Sequence, residues 1–262
     1  MDRDETSKPI NPDELPMLAP CRDIGFTAPL RWLKLGWNDL RSAPGPSLVF
    51  GVITLVLTYL ITLATWIWGN LGLYLGLVSG FVFVGPGLAM VWYAISRRLE
   101  RGLPVAIMPA LKDALRAARG ALFFAVILIV VLLVWARAAN TMYIFFPAIE
   151  NPSWRELVVF LTAGSAVGAL FSLVVFAASA FSLPMLLDRQ ADAVTAVITS
   201  INAVLRNKRA LLLWAVLIVA AVLIGVVTAW LAFLVIMPLL GHATWHGYRQ
   251  TIDAGQWPDA SD

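Results

Sequence analysis

From Ala210 to His246 the chain runs about 37 residues with no Asp, Glu, Lys or Arg, and the histidines His242 and His246 are its only imidazoles. A helix rises about 1.5 Å per residue, and roughly 20 apolar residues cross the ~30 Å hydrocarbon layer of a bilayer. The run is therefore too long for one crossing and long enough for two, with a turn expected near Gly225–Thr228. No soluble fold hides a stretch of this kind easily. The whole chain agrees: 60% of its residues are hydrophobic and 13% are charged, against roughly 25% charged in soluble domains.

Four further runs have the same character, so the sequence predicts an all-α, polytopic membrane protein with six transmembrane helices. The spans fall at about 47–68, 71–95, 121–139, 157–183, 210–226 and 228–247. They form one membrane domain over 25–252. Residues 1–24 are polar and proline-rich and read as a disordered cytoplasmic tail, and 253–262 read as a second cytoplasmic tail. The polar N-terminus has no short apolar region behind a basic start, so no cleavable signal peptide is expected. The single cysteine, Cys21, excludes an intrachain disulfide and any zinc site built from paired cysteines.

Basic amphipathic segments stand before the odd-numbered spans. Residues 35–41 (LGWNDLR), 110–116 (ALKDALR) and 200–206 (SINAVLR) read as three copies of one device. Leu115, Arg116 and Arg119 align with Leu205, Arg206 and Arg209, whereas the first copy keeps only Leu40 and Arg41. Repetition of elbow, odd span and even span would give a parallel internal repeat about an axis along the membrane normal. In the first segment Leu30, Leu33, Trp37 and Leu40 share a helical face, which suits a helix lying at the membrane surface; a helix packed on the bundle is the plainer reading. Interfacial contacts with lipid are expected from Arg97, Arg98, Arg101, Arg116, Arg119, Arg206, Lys208 and Arg209.

Small residues recur at four-residue spacing in the even spans. Gly72, Gly76 and Gly80 in the second, and Gly164 and Gly168 in the fourth, would let a neighbouring helix approach closely, which is how helices associate in lipid. Each even span also carries a late proline, Pro86, Pro184 or Pro238, that removes an amide donor and kinks the helix.

With six spans, seventeen of the nineteen Lys and Arg fall on one side and only Arg137 and Arg155 on the other. The positive-inside rule puts that side, with both termini, in the cytoplasm. The basic belt should attract anionic lipid headgroups; other membrane proteins or a second copy of the chain are further possible partners, and no nucleic-acid partner is expected.

The spans contain no Asp, Glu, Lys or Arg at mid-depth, which argues against a proton-coupled pump. The sharpest polar feature is His242-Ala-Thr-Trp245-His246. Histidines at i and i+4 share a helix face and could hold a metal if a third ligand, such as Asp188, came near. The preferred reading has them hydrogen-bonded at the interface beside Trp245 and Tyr248. No catalytic residue, metal site or cofactor is therefore assigned.

The stretches RWLKLGWNDLRSAPGPSLVFG (31–51), FSLPMLLDRQADAVTAVITSINAVLRNKRALLLW (181–214) and PLLGHATWHGYR (238–249) resemble a family of bacterial integral membrane proteins of unknown function, DUF2189. The resemblance would cover about 22–252, with GHATWHGYR its most specific block. It implies a multi-pass protein of the bacterial inner membrane and transfers no active residues. Two functions compete: a non-enzymatic accessory, assembly or lipid-associated scaffold protein, and a transporter or channel for a small neutral or amphiphilic solute.

Overall fold

The structure, a computed structural model, describes residues 16–68, 88–145 and 153–260. Its described elements are helices: α1 (Ala28–Ser42), α2 (Pro44–Trp68), α3 (88–100), α4 (Ile107–Phe145), α5 (Trp154–Ser179), α6 (Ser182–Asp188), α7 (Ala193–Arg206), α8 (Lys208–Val227) and α9 (Phe233–Thr251). Among the described residues three stretches are long and apolar enough to cross a membrane: Pro44–Ile67, Trp154–Asp188 and Lys208–Val227. A shorter apolar stretch, Phe124–Trp135, lies within α4. The second expected span lies largely outside the described residues, as do Gly72, Gly76, Gly80 and Pro86.

The break in the long uncharged run falls at 228–232, between α8 and α9. Ala229 and Trp230 there both have positive φ, 48° and 69°. The Trp230 amide reaches back to the carbonyl of Gly225 at 2.6 Å, and the Tyr59 hydroxyl donates to the Ala229 carbonyl at 2.6 Å. The two positive-φ residues are thus held from both sides.

The elbow is present in two of the three amphipathic copies. α1 gives way to α2 at Ala43, ahead of Pro44 and Pro46, and α7 gives way to α8 at Asn207. The Asn207 side chain closes its break: its amide donates to the Arg22 and Ala203 carbonyls, and its oxygen accepts from the Ile24 amide at 2.9 Å. The second copy has no elbow. Residues 110–116 continue through 117–123 into one helix of 39 residues, because only Gly120 intervenes and one glycine is too weak a breaker to end a helix.

α1 is packed on the bundle rather than laid out on an outer surface. Its buried face is Trp32, Gly36 and Leu40, while Leu30 and Trp37 stay exposed. Backbone approach sets this rotation. A Cβ on Gly36 would meet the Ala243 nitrogen at 2.7 Å and the Leu239 carbonyl oxygen at 3.0 Å. Close packing through glycine therefore occurs where α1, α2 and α3 meet α9. Gly51 faces the Leu234 carbonyl, and a Cβ on Gly241 would come within 2.7 Å of the Trp92 Cβ. Among the described residues none lies within 4 Å of where a Cβ would sit on Gly164 or Gly168 of α5. Near Pro184 the chain breaks between α5 and α6 at Ala180–Phe181, one turn before the ring that would crowd the Ala180 carbonyl. Pro238 lies inside a continuous α9.

Residues 16–24, expected in the disordered tail, are folded onto the bundle. Ala19 and Cys21 are buried. The Arg22 amide bonds the Thr251 carbonyl at 2.8 Å, and the Asp253 amide bonds the Pro20 carbonyl at 2.8 Å. The C-terminal segment also packs back: Trp257 is buried, and the Gln190 amide bonds the Pro258 carbonyl at 2.9 Å. Few large side chains are needed to hold such segments when their backbone groups find partners, so composition alone does not show the docking of residues 16–24.

Two outcomes test this packing. Gly36→Ala forces two backbones apart and should destabilise the protein by about 1–3 kcal/mol, whereas Gly164→Ala should change stability by less than about 0.5 kcal/mol; thermal unfolding in detergent measures both. The Cys21 thiol, whose pKa is raised by burial despite the Asn202 hydrogen bond and nearby Arg206, should resist iodoacetamide at mildly alkaline pH in the folded protein and react fully after denaturation. Rapid labelling of the native protein would mean that residues 16–24 are not docked.

Candidate functional site: two polar networks on one helix

The C-terminal half of α9 carries His242, Trp245, His246, Tyr248 and Arg249 in a helix otherwise made of small and apolar residues. Helical spacing aims them at different neighbours, and each finds a polar partner there.

His242 is fully buried between α2 and α3. Its Nε2 lies 2.9 Å from Ser47 Oγ and its Nδ1 lies 2.8 Å from Ser96 Oγ. Ser96 Oγ in turn donates to Asp39 Oδ2 at 2.6 Å. A carboxylate only accepts, so Ser96 spends its proton on Asp39 and must accept from His242 Nδ1–H. Nε2 is then the bare nitrogen and accepts from Ser47. Asp39 Oδ2 receives a second bond from His246 Nε2 at 2.8 Å. The Ser47 carbonyl accepts from Trp92 Nε1 at 3.2 Å. One directed chain of hydrogen bonds thus ties α1, α2, α3 and α9.

The residue types match those of a nucleophilic triad, but the arrangement differs. Ser96 stands between the imidazole and the carboxylate, and Ser47, Ser96 and His242 are 0%, 1% and 0% exposed. The chemistry this geometry performs is the satisfaction of buried polar atoms, which are expensive to leave unpaired. Among the described residues no group of three His, Cys, Asp or Glu side chains is disposed to hold a metal ion. Asp188, the third ligand such a site would have drawn on, belongs to the other network.

Asp188 ends α6 and is 1% exposed. It is surrounded by Arg101 at 3.1 Å, Arg189 at 3.2 Å, Arg97 at 3.4 Å and Arg249 at 3.4 Å, and the Tyr248 hydroxyl donates to it at 3.0 Å. Asp259 from the C-terminal segment closes on Arg97 and Arg101. Glu100 accepts from Trp245 Nε1 at 2.9 Å and pairs with Arg249 at 3.0 Å. Arg98 pairs with Asp113 at 2.7 Å, which fixes the start of α4. Burial, with Asp188 beside it, holds the Tyr248 hydroxyl well above its ordinary pKa. Burial and the neighbouring Arg101 lower that of Arg97, against the pull of Asp259 and Asp188.

The arginines expected to face lipid therefore divide. Arg97 is buried and Arg98 and Arg101 are ion-paired. Arg206 pairs with Asp23 at 2.6 Å. Arg116, Lys208 and Arg209 are exposed, and the side chain of Arg119 lies outside the described residues. Sequence reasoning missed Asp39, Ser47, Ser96, Glu100 and Asp259 as partners. A signal for them existed: polar residues at 242, 245 and 246 share one side of a helix in an uncharged run, which requires partners inside the bundle, and Arg249 continues that side just beyond it.

Residues 73–188 match the model of the DUF2189 family, described as a predicted integral membrane protein. The match ends at Asp188, so the 31–51 and 238–249 stretches and most of 181–214 lie outside it, and the expected coverage of 22–252 is not reached. No curated protein and no solved structure matches the chain. Similarity to this family and the several apolar helices together make the chain an integral membrane protein.

Asp188→Asn should leave four arginines around an uncharged side chain and destabilise the protein by about 3–5 kcal/mol, read by denaturation in detergent. A loss below about 1 kcal/mol would mean that the network is solvated rather than buried.

Proposed function

We propose that the protein is a non-enzymatic scaffold of the bacterial inner membrane, an accessory or assembly factor that associates with lipid, built of six spans with both termini in the cytoplasm. The observation that carries this reading is the commitment of His242, Trp245, His246, Tyr248 and Arg249 to partners within the chain. The residues best suited to chemistry act as ties between helices. The topology draws support from contact: Arg22 of the N-terminal segment pairs with Asp253, Asp23 pairs with Arg206 at the end of α7, and the 97–101 region pairs with Asp188 and with Asp259 of the C-terminal segment. These are the segments that the positive-inside count groups together.

A second reading, a carrier of a small neutral or amphiphilic solute, draws on a cavity of about 210 Å³ between α2, α3 and α9, lined by Thr54, Trp92, Tyr93 and Gly241 among others. Its walls are largely apolar, and none of the polar side chains at 242, 245, 246, 248 and 249 lines it, so the scaffold reading is preferred.

Affinity purification in mild detergent, with mass spectrometry of co-purifying proteins and lipids, separates the two. The scaffold reading expects a stoichiometric membrane-protein partner or retained anionic lipid. A protein that purifies alone and supports solute flux in liposomes would contradict it.

A further inference from the structure

The connected ionic cluster around Asp188 is not electroneutral. Its four arginines, Arg97, Arg101, Arg189 and Arg249, face the three carboxylates of Glu100, Asp188 and Asp259; beside it Arg98 pairs with Asp113, and Arg116 adds a further cation at the edge of one cleft. The cleft encloses about 170 Å³ between α4, the α6–α7 link and the C-terminal segment, the room of roughly five waters. Three arginines line it, Arg97, Arg116 and Arg189, with one carboxylate residue, Asp113, which Arg98 pairs. Arg116 has no carboxylate within ion-pairing distance among the described residues. Arg97 is 6% exposed, and its Nε is buried without a hydrogen bond although Asp188 lies 3.4 Å away.

The position of the cleft matters as much as its charge. Arg116 sits five residues before Ala121, where the apolar run of α4 begins. Leu186 and Leu187 supply an apolar wall beside the arginines. Cations placed where a polar cap meets an apolar run face the depth at which lipid phosphates lie. Planar guanidiniums bind phosphate oxygens in pairs, with geometry as well as charge.

We propose that this cleft binds the phosphate group of an anionic phospholipid, with Arg116 as the accessible ligand and Arg189 and Arg97 behind it. The proposal rests on the lipid-associated reading above and gives that reading a site. A free phosphate shares the chemistry, so the test must separate the two sources.

The full chain is purified as wild type, Arg116→Ala, Arg116→Lys and Arg206→Ala. Native mass spectrometry then follows titration with phosphatidylglycerol, phosphatidylcholine and inorganic phosphate. Wild type should prefer phosphatidylglycerol to phosphatidylcholine. Arg116→Ala should lose about tenfold of that preference, and Arg116→Lys should lose part of it. Arg206→Ala, whose arginine pairs with Asp23 away from the cleft, should keep it. Equal unfolding temperatures of the lipid-free variants would show that Arg116 acts through binding. An undiminished preference in Arg116→Ala would overturn the site while leaving the lipid-associated reading intact. No preference in wild type, with inorganic phosphate bound in an Arg116-dependent way, would support the cleft as a phosphate site and overturn the lipid source. Binding of neither probe would overturn both.

Discussion

A carboxylate taken out of water must be repaid by charge and by hydrogen bonds close at hand, and Asp188 sets that condition for one end of the bundle. Its demand is met by side chains from four separate places in the sequence: the end of α3, the residue after α6, the last turn of α9 and, through Asp259, the C-terminal segment. None of these can move without leaving buried charge unpaired. The chain from Asp39 through Ser96 and His242 to Ser47 imposes the same kind of constraint on α1, α2 and α3. α3 and α9 are the elements common to both. In a medium where apolar burial between helices gives little drive, specific polar ties and close backbone contact must fix which helices are neighbours.

The apolar stretches Pro44–Ile67, Trp154–Asp188 and Lys208–Val227 were legible from the residues alone because they depend on local composition. The helical nature of the chain and the need for a turn in the long run follow from run length and hydrogen-bonding need, but the turn lies at 228–232, beyond most of the expected Gly225–Thr228, because α8 runs on to Val227. The elbows at Ala43 and Asn207 are half legible. Proline announces the first, but Asn207 ends a helix only because residues 22–24 come to meet its side chain. The unbroken α4 shows the reverse, where a repeated sequence pattern does not impose a repeated break.

What the sequence hid was non-local. Gly36, Gly51 and Gly241 do the close packing, and nothing in their immediate neighbours distinguishes them from Gly164 and Gly168. Among the described residues a neighbouring backbone reaches Gly36 and Gly51, the Trp92 side chain reaches Gly241, and nothing reaches Gly164 or Gly168. Likewise the arginines near the spans looked alike as a basic belt, yet Arg97 is buried among carboxylates and Arg116 is not. Periodicity gives the face of a helix; only the assembled bundle gives the partner.

The central claim is that α9 fastens α1 and α3 into one cooperative unit at the polar end of the bundle. Hydrogen exchange in lipid nanodiscs, read by mass spectrometry, tests it most directly. Amides of Ala28–Ser42, 88–100 and the second half of Phe233–Thr251 should exchange together in the slowest class, and Asp39→Ala should speed all three alike. Fast, independent exchange of Ala28–Ser42, unaffected by Asp39→Ala, would contradict the account.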